Sequence, residues 1–198
     1  MQSNIALNPI ADVVRYVFPS DTFNGSMEEE ATGRAVYFIN TQTKLSGSTT
    51  TITRPDGSPV GAIQWGRLFK PMVVTLHGKE IPGKQVLSTR RSGIFSAPKQ
   101  FWVDAYGSEF YWKRGSCYDY QNRVIAHYTP TVAHVFHTNE PATLSVDSQF
   151  IPVLDKLLVT ALMIEHQRRQ QQRAGQASAA SASASASAAA AAVAAGGR

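Results

Sequence analysis

The sequence predicts a mainly β domain: an antiparallel barrel of about eleven to twelve strands closed around one hydrophobic C-terminal helix. Three observations carry this. From Val13 to Val146, short β-branched and aromatic runs alternate with turn residues. From Phe150 to Ile164 the period changes to that of a helix, apolar over most of its circumference. A sheet of that size left open has two costly edges, and a closed one is too wide to be filled by its own side chains. A helix through the middle resolves both. The competing arrangement, a two-sheet sandwich with the helix on one open end, leaves the helix's apolar surface half used.

Val13 to Phe18 is the first expected strand, followed by a loop holding Asn24-Gly25-Ser26 and a solvated acidic run, Glu28 to Glu30. Ala35 to Ile39 never alternates and reads as a strand buried on both faces. Thr49 to Thr53 is β-branched, and Arg54-Pro55-Asp56-Gly57 closes it as a type I turn with a bulge, a hairpin into Val60 to Trp65. Further strands are expected at Met72 to His77, Val86 to Arg90, Phe101 to Tyr106, Phe110 to Arg114 and Cys117 to Tyr120. The last three are Arg123 to Tyr128, Thr131 to Phe136 and Ala142 to Val146. Strands joined by turns this short run antiparallel.

In the helix, about residues 150–168, Pro152 suits the first turn, Asp155 the positive end, and Arg168 and Arg169 the negative end. The longest uncharged stretch after Lys156 ends at Ile164, far short of the roughly twenty residues a membrane span needs. The domain is therefore expected over residues 1–169. Residues 170–198, alternating Ala and Ser and then an alanine run, read as a disordered tail with at most transient helix.

The formal charge of +5 points to nucleic acid only until its location is considered. Four of the 19 basic residues (Arg168, Arg169, Arg173 and Arg198) lie beyond Gln167 and none of the 14 acidic ones does, leaving 15 against 14 in the body. No nucleic-acid partner is expected. The single cysteine, Cys117, excludes an internal disulfide. With no secretory signal pattern at the N-terminus, a cytoplasmic location is expected, and the Asn24-Gly25-Ser26 sequon then carries no meaning.

Catalytic chemistry finds no foothold, and no cofactor or enzyme activity is expected. Gly57-Ser58-Pro59-Val60-Gly61 has proline where a nucleophile elbow needs serine, and no glycine-rich phosphate loop occurs. Cys117, between aromatic neighbours in a strand, reads as a half-buried thiol. His134 and His137 point to opposite faces of one expected strand, so with His127 they make no convergent metal set. Trp65, Trp102, Tyr106, Phe110, Tyr111 and Trp112 read as packing. Two dibasic strand ends remain, Arg90-Arg91 and Lys113-Arg114. Should they meet at one rim, with Lys84 or Lys99 nearby, they form a cationic patch for a phosphorylated head group. The alternative is a set of solvated strand termini.

The Thr-rich strand, the Arg54-Pro55-Asp56-Gly57 turn, the Ala62-Ile63-Gln64-Trp65 strand, the Phe110-Tyr111-Trp112-Lys113 hairpin and the Leu154 to Leu162 helix followed by Arg168-Arg169 resemble an uncharacterised family of mushroom-forming fungi. That family is similar to the tubby C-terminal and LURP-one-related superfamily. The resemblance covers most of residues 8–169 and implies an antiparallel barrel around a hydrophobic helix. Some tubby-like relatives bind phosphoinositides, but their binding residues do not map onto this sequence one by one. Two functions follow as expectations: a non-enzymatic cytosolic domain binding anionic phospholipid head groups, or a protein-interaction or structural domain without a ligand.

Overall fold

The computed structural model describes residues 12–45, 47–66, 70–90, 99–103, 109–132 and 139–195. By compactness the chain divides into two units, Met1–Ala161 and Leu162–Arg198.

The first unit is one antiparallel sheet of 13 strands. In chain order they are β1 (Val13–Phe18), β2 (Gly25–Glu29), β3 (Arg34–Lys44), β4 (Gly47–Thr53), β5 (Pro59–Gln64), β6 (Val73–Leu76) and β7 (Lys79–Pro82). After the helical turn α1 (Gly83–Val86) come β8 (Ser88–Arg90), β9 (Lys99–Val103), β10 (Glu109–Lys113), β11 (Ser116–Tyr118), β12 (Val124–Thr129) and β13 (Ala142–Asp147). The spatial order is β7-β6-β5-β4-β3-β2-β1-β13-β12-β11-β10-β9-β8. Every neighbour is adjacent in sequence except β1 and β13, where Val13 stands opposite Asp147 and Phe18 opposite Ala142.

Turn chemistry explains the hairpins. Gly57 takes φ of 82° and donates to Arg54 O at 2.9 Å, as the sequence predicts for the turn, and the ladder has a further register shift between Ile52 and Thr53. His77-Gly78 and Arg114-Gly115 are two-residue connections with positive φ at both positions, 49° and 77°, then 51° and 83°. Those are the paired left-handed values of a type I′ turn.

Three strand expectations change. Glu28 and Glu29 do not lie in a loop: they end β2, next to the fully buried Met27, and only Glu30 of the acidic run falls in the turn that follows. Ala35 to Ile39 is half-buried rather than covered on both faces, with Tyr37 and Ile39 inside and Phe38 47% exposed. Val86 closes α1, and β8 starts at Ser88. The strand expected at Thr131 to Phe136 lies mostly outside the described residues; Val132 bridges to Glu140.

Closure into a barrel is not seen: among the described residues β7 and β8 end the sheet without pairing to each other. Parity supplies the reason. Twelve antiparallel steps separate β7 from β8, so the two run in the same direction. Parallel neighbours need a crossover of about a dozen residues or more. Here only α1 and Leu87 intervene. The connection spans the opening instead, since α1 touches β6 and β7 on one side and β9 on the other, with Val86 and Leu87 buried.

A 3-10 turn over Ser148–Val153, capped by the Asp147 carboxylate accepting from Gln149 N, leads into α2 (Leu154–Ala195). Five consecutive residues, Leu157, Leu158, Val159, Thr160 and Ala161, are at most 1% exposed. At about 100° per residue they cover the full circumference, so α2 begins buried on every side, as its apolar breadth predicts. Tyr37 of β3 and Trp112 of β10 both bond to this segment, although six strand steps separate them in the sheet. Two strands far apart in the sheet thus both hold the first turns of the helix.

In the second unit Arg168 and Arg169 do not end the helix. Both clamp the buried Glu165 carboxylate, at 2.6 and 2.7 Å. α2 continues to Ala195, past the end expected near residue 168, in keeping with alanine's high helix propensity.

Candidate functional site

The ladder places the backbone of one residue from each dibasic pair, Arg90 and Lys113, in one row. Arg90 stands opposite Lys99, and Gln100 opposite Trp112, so the backbones of Arg90, Lys99 and Lys113 lie abreast on β8, β9 and β10. With strands about 4.8 Å apart, the Arg90 and Lys113 backbones are about 10 Å from each other. The row continues. Lys113 is opposite Ser116, Ser116 opposite His127, His127 opposite Ser145 and Ser145 opposite Arg15. The adjacent row, Trp112, Cys117, Ala126 and Val146, is buried, so Lys113 to Arg15 face away from the core. At the far end of this row Glu30 lies 3.4 Å from Arg15.

Arg114 sits exposed in the type I′ turn beyond Lys113. A left-handed backbone is unfavourable for an arginine, where Asn or Gly would be at ease. Arg91 lies outside the described residues. His127 spends its Nδ1 on the Ser116 hydroxyl, 2.9 Å away. His134 and His137 lie outside the described residues, and no group of three metal-ligating side chains occurs among those described. Cys117 is fully rather than half buried, and burial pushes its thiol well above the ordinary range.

A second polar centre escapes sequence reasoning. Asp155, in the first turn of α2, accepts from the Tyr37 hydroxyl, from Arg54 Nη2 at 2.9 Å, and lies 3.2 Å from His77 Nε2. These groups come from β3, the β4–β5 turn and the β6–β7 turn. Desolvation first, and then the Asp155 carboxylate, pushes the Tyr37 phenol far up. No serine, cysteine or threonine joins these bonds, so the cluster fastens the helix N-terminus rather than forming a triad. Asp155 suits the helix's positive end as the sequence suggests. Its three strand-side partners were hidden because they are remote in the chain.

No helix among the described residues is long and apolar enough to cross a membrane. No curated protein matches the chain. A protein from Arabidopsis thaliana, solved by X-ray crystallography, is similar over 75% of this chain and 91% of its own, at 12% identity and a TM-score of 0.35. The sequence model of one family matches residues 20–170, from the strand region through the first four turns of α2. The chain belongs to that family, a family of unknown function designated DUF6593.

Proposed function

We propose that the domain is a non-enzymatic binding module for anionic phospholipid head groups, working at the cytoplasmic face of a membrane. In this reading the sheet and α1 together close a tubby-like barrel around α2, and the cationic row on β8 to β10 is the docking edge. The observation that carries it is the register that sets Arg90, Lys99 and Lys113 abreast, with Arg114 next along the turn. Each cation near an anionic leaflet contributes about 1 kcal/mol, screened within a Debye length. Four or five together give reversible, salt-sensitive attachment. Arginine in an unfavourable left-handed turn position supports the reading, since a turn under selection for stability alone favours Asn there.

Flotation with vesicles containing phosphatidylinositol phosphates, at low and high salt, tests this. Wild type floats at low salt only. The variant Arg90→Glu, Arg91→Glu, Lys113→Glu, Arg114→Glu stays at the bottom with an unchanged circular dichroism melt. Equal flotation of the two proteins would remove the proposal and leave a protein-interaction or structural role.

A further inference from the structure

A cleft of about 460 Å³ opens at the far side of the sheet, where β3 to β6 meet the β5–β6 connection. Gln42, Thr49 and Gln64 stand abreast on β3, β4 and β5. They face away from the core, since Thr50 and Ile63 in the adjoining row are fully buried. Lys44 and Lys70 flank them, and no carboxylate lines the cleft among the described residues. The side chains of Gln42, Gln64, Lys44 and Lys70 spend no hydrogen bond or ion pair on the described residues. The wall beside them is fixed: Trp65 donates its backbone N–H to Ser48 O at 3.0 Å and its indole N–H to Thr50 at 2.8 Å.

We propose that this cleft binds a soluble phosphorylated sugar or polyol. Its volume falls within the ordinary range for small-molecule sites. Two ammonium groups without acidic neighbours suit a phosphate dianion, to which charge-assisted bonds are the strong ones. Two carboxamides and a hydroxyl, repeating at the strand spacing of about 4.8 Å, match the separation of alternate hydroxyls around a six-membered ring. A hydrophobic ligand finds little here, and a nucleobase finds no aromatic face among the outward row. The cleft and the β8–β10 row lie toward opposite ends of the strand order, so each can fail alone.

Titration calorimetry on the full chain tests the assignment, with glucose 6-phosphate, glucose, inorganic phosphate and myo-inositol phosphate as soluble probes. Vesicles containing phosphatidylinositol phosphate are a separate arm. Saturable binding of glucose 6-phosphate or myo-inositol phosphate is expected, at least about tenfold tighter than glucose or phosphate alone. Lys44→Gln with Lys70→Gln weakens it about tenfold or more, as loss of charged bonds requires, while Lys113→Gln with Arg114→Gln leaves it unchanged. Gln42→Ala with Gln64→Ala weakens the sugar phosphate but not phosphate alone. The proposal is overturned if no soluble probe saturates, if the lysine pair is dispensable, or if phosphate alone binds as tightly. Vesicle binding that needs Lys44 and Lys70 without any soluble binding would assign the cleft to lipid and likewise overturn it.

Discussion

Trp112 donates its indole N–H to the Thr160 hydroxyl at 3.0 Å, joining β10 to the buried face of α2. Thr160 in turn points its own proton at the carbonyls of Lys156 and Leu157, 2.9 and 3.0 Å away. Every polar atom in this small network has a partner although both side chains are buried. Thr160→Val keeps the shape and orphans the indole. Urea unfolding is expected to show a loss of about 1–3 kcal/mol, the cost of an unsatisfied buried donor.

Leu158 tests the enclosure of the helix. It is fully buried, with Leu154 and Leu162 a turn away on either side. Leu158→Ala is expected to cost about 2–5 kcal/mol in denaturant melts, and Leu158→Asp to prevent folding. A soluble, cooperatively folding Leu158→Asp protein would contradict a helix buried on all sides.

Asp155→Asn removes the charge that Arg54 and His77 share and that Tyr37 bonds. Since Asp155 is only 13% exposed, the expected loss is about 2–4 kcal/mol, below the largest values for fully buried pairs because Arg54 is itself 43% exposed. Thermal melts of Asp155→Asn and Arg54→Gln measure it. Losses under half a kcal/mol in both would mean the helix is held by apolar burial alone.

Stability should fall at both ends of the pH scale, for different groups. Cys117 and Tyr37 have folded-state values raised above those of the unfolded chain, first by desolvation. Unfolding lets them ionise, so stability is full below about pH 8 and declines as pH rises past the ordinary thiol and phenol values. Glu165 behaves oppositely. Burial alone would raise its carboxyl, but the bonds to Arg168 and Arg169 outweigh that and hold it below the usual range. Its contribution is present above the unfolded carboxyl value and is lost as pH falls through the folded one. Cys117→Ala should flatten the alkaline limb and Glu165→Gln the acid limb in melts from pH 3 to 10. The same thiol should resist alkylation until the protein unfolds.

Arg114→Asn places the residue a type I′ turn prefers before Gly115. Stability is expected to hold or to rise by up to about 1 kcal/mol, while vesicle binding weakens. A clear loss of stability would show that the arginine side chain supports the fold rather than a ligand.

Local chemistry was legible in this sequence, and long-range register was not. Gly57 and Pro55 announce their hairpin because a turn depends on four residues, and Leu154 to Leu162 announces a buried helix through its own breadth. Met27 was missed because a lone apolar residue amid Ser26, Glu28 and Glu29 carries too little pattern to outweigh the charges. Phe38 misled in the other direction, an apolar residue on an outward face. The sequence marks Arg90 and Lys113 as strand ends. That they lie abreast depends on β9, whose pairing to both sides no local pattern specifies. Asp155 was readable as a helix-start carboxylate, but Tyr37, 118 residues away, was not.

The pairing of β1 with β13 sets a timetable for synthesis. Val13 leaves the ribosome well before its partner Asp147, which is made near the end of the domain. Until then β1 can pair only with β2, and the growing chain carries two meanders, β1 to β7 and β8 to β13, with apolar faces awaiting α2. Such separation in sequence slows folding and prolongs exposure of sticky edges. Chains halted before residue 142 are therefore expected to aggregate, a consequence of the order of the strands.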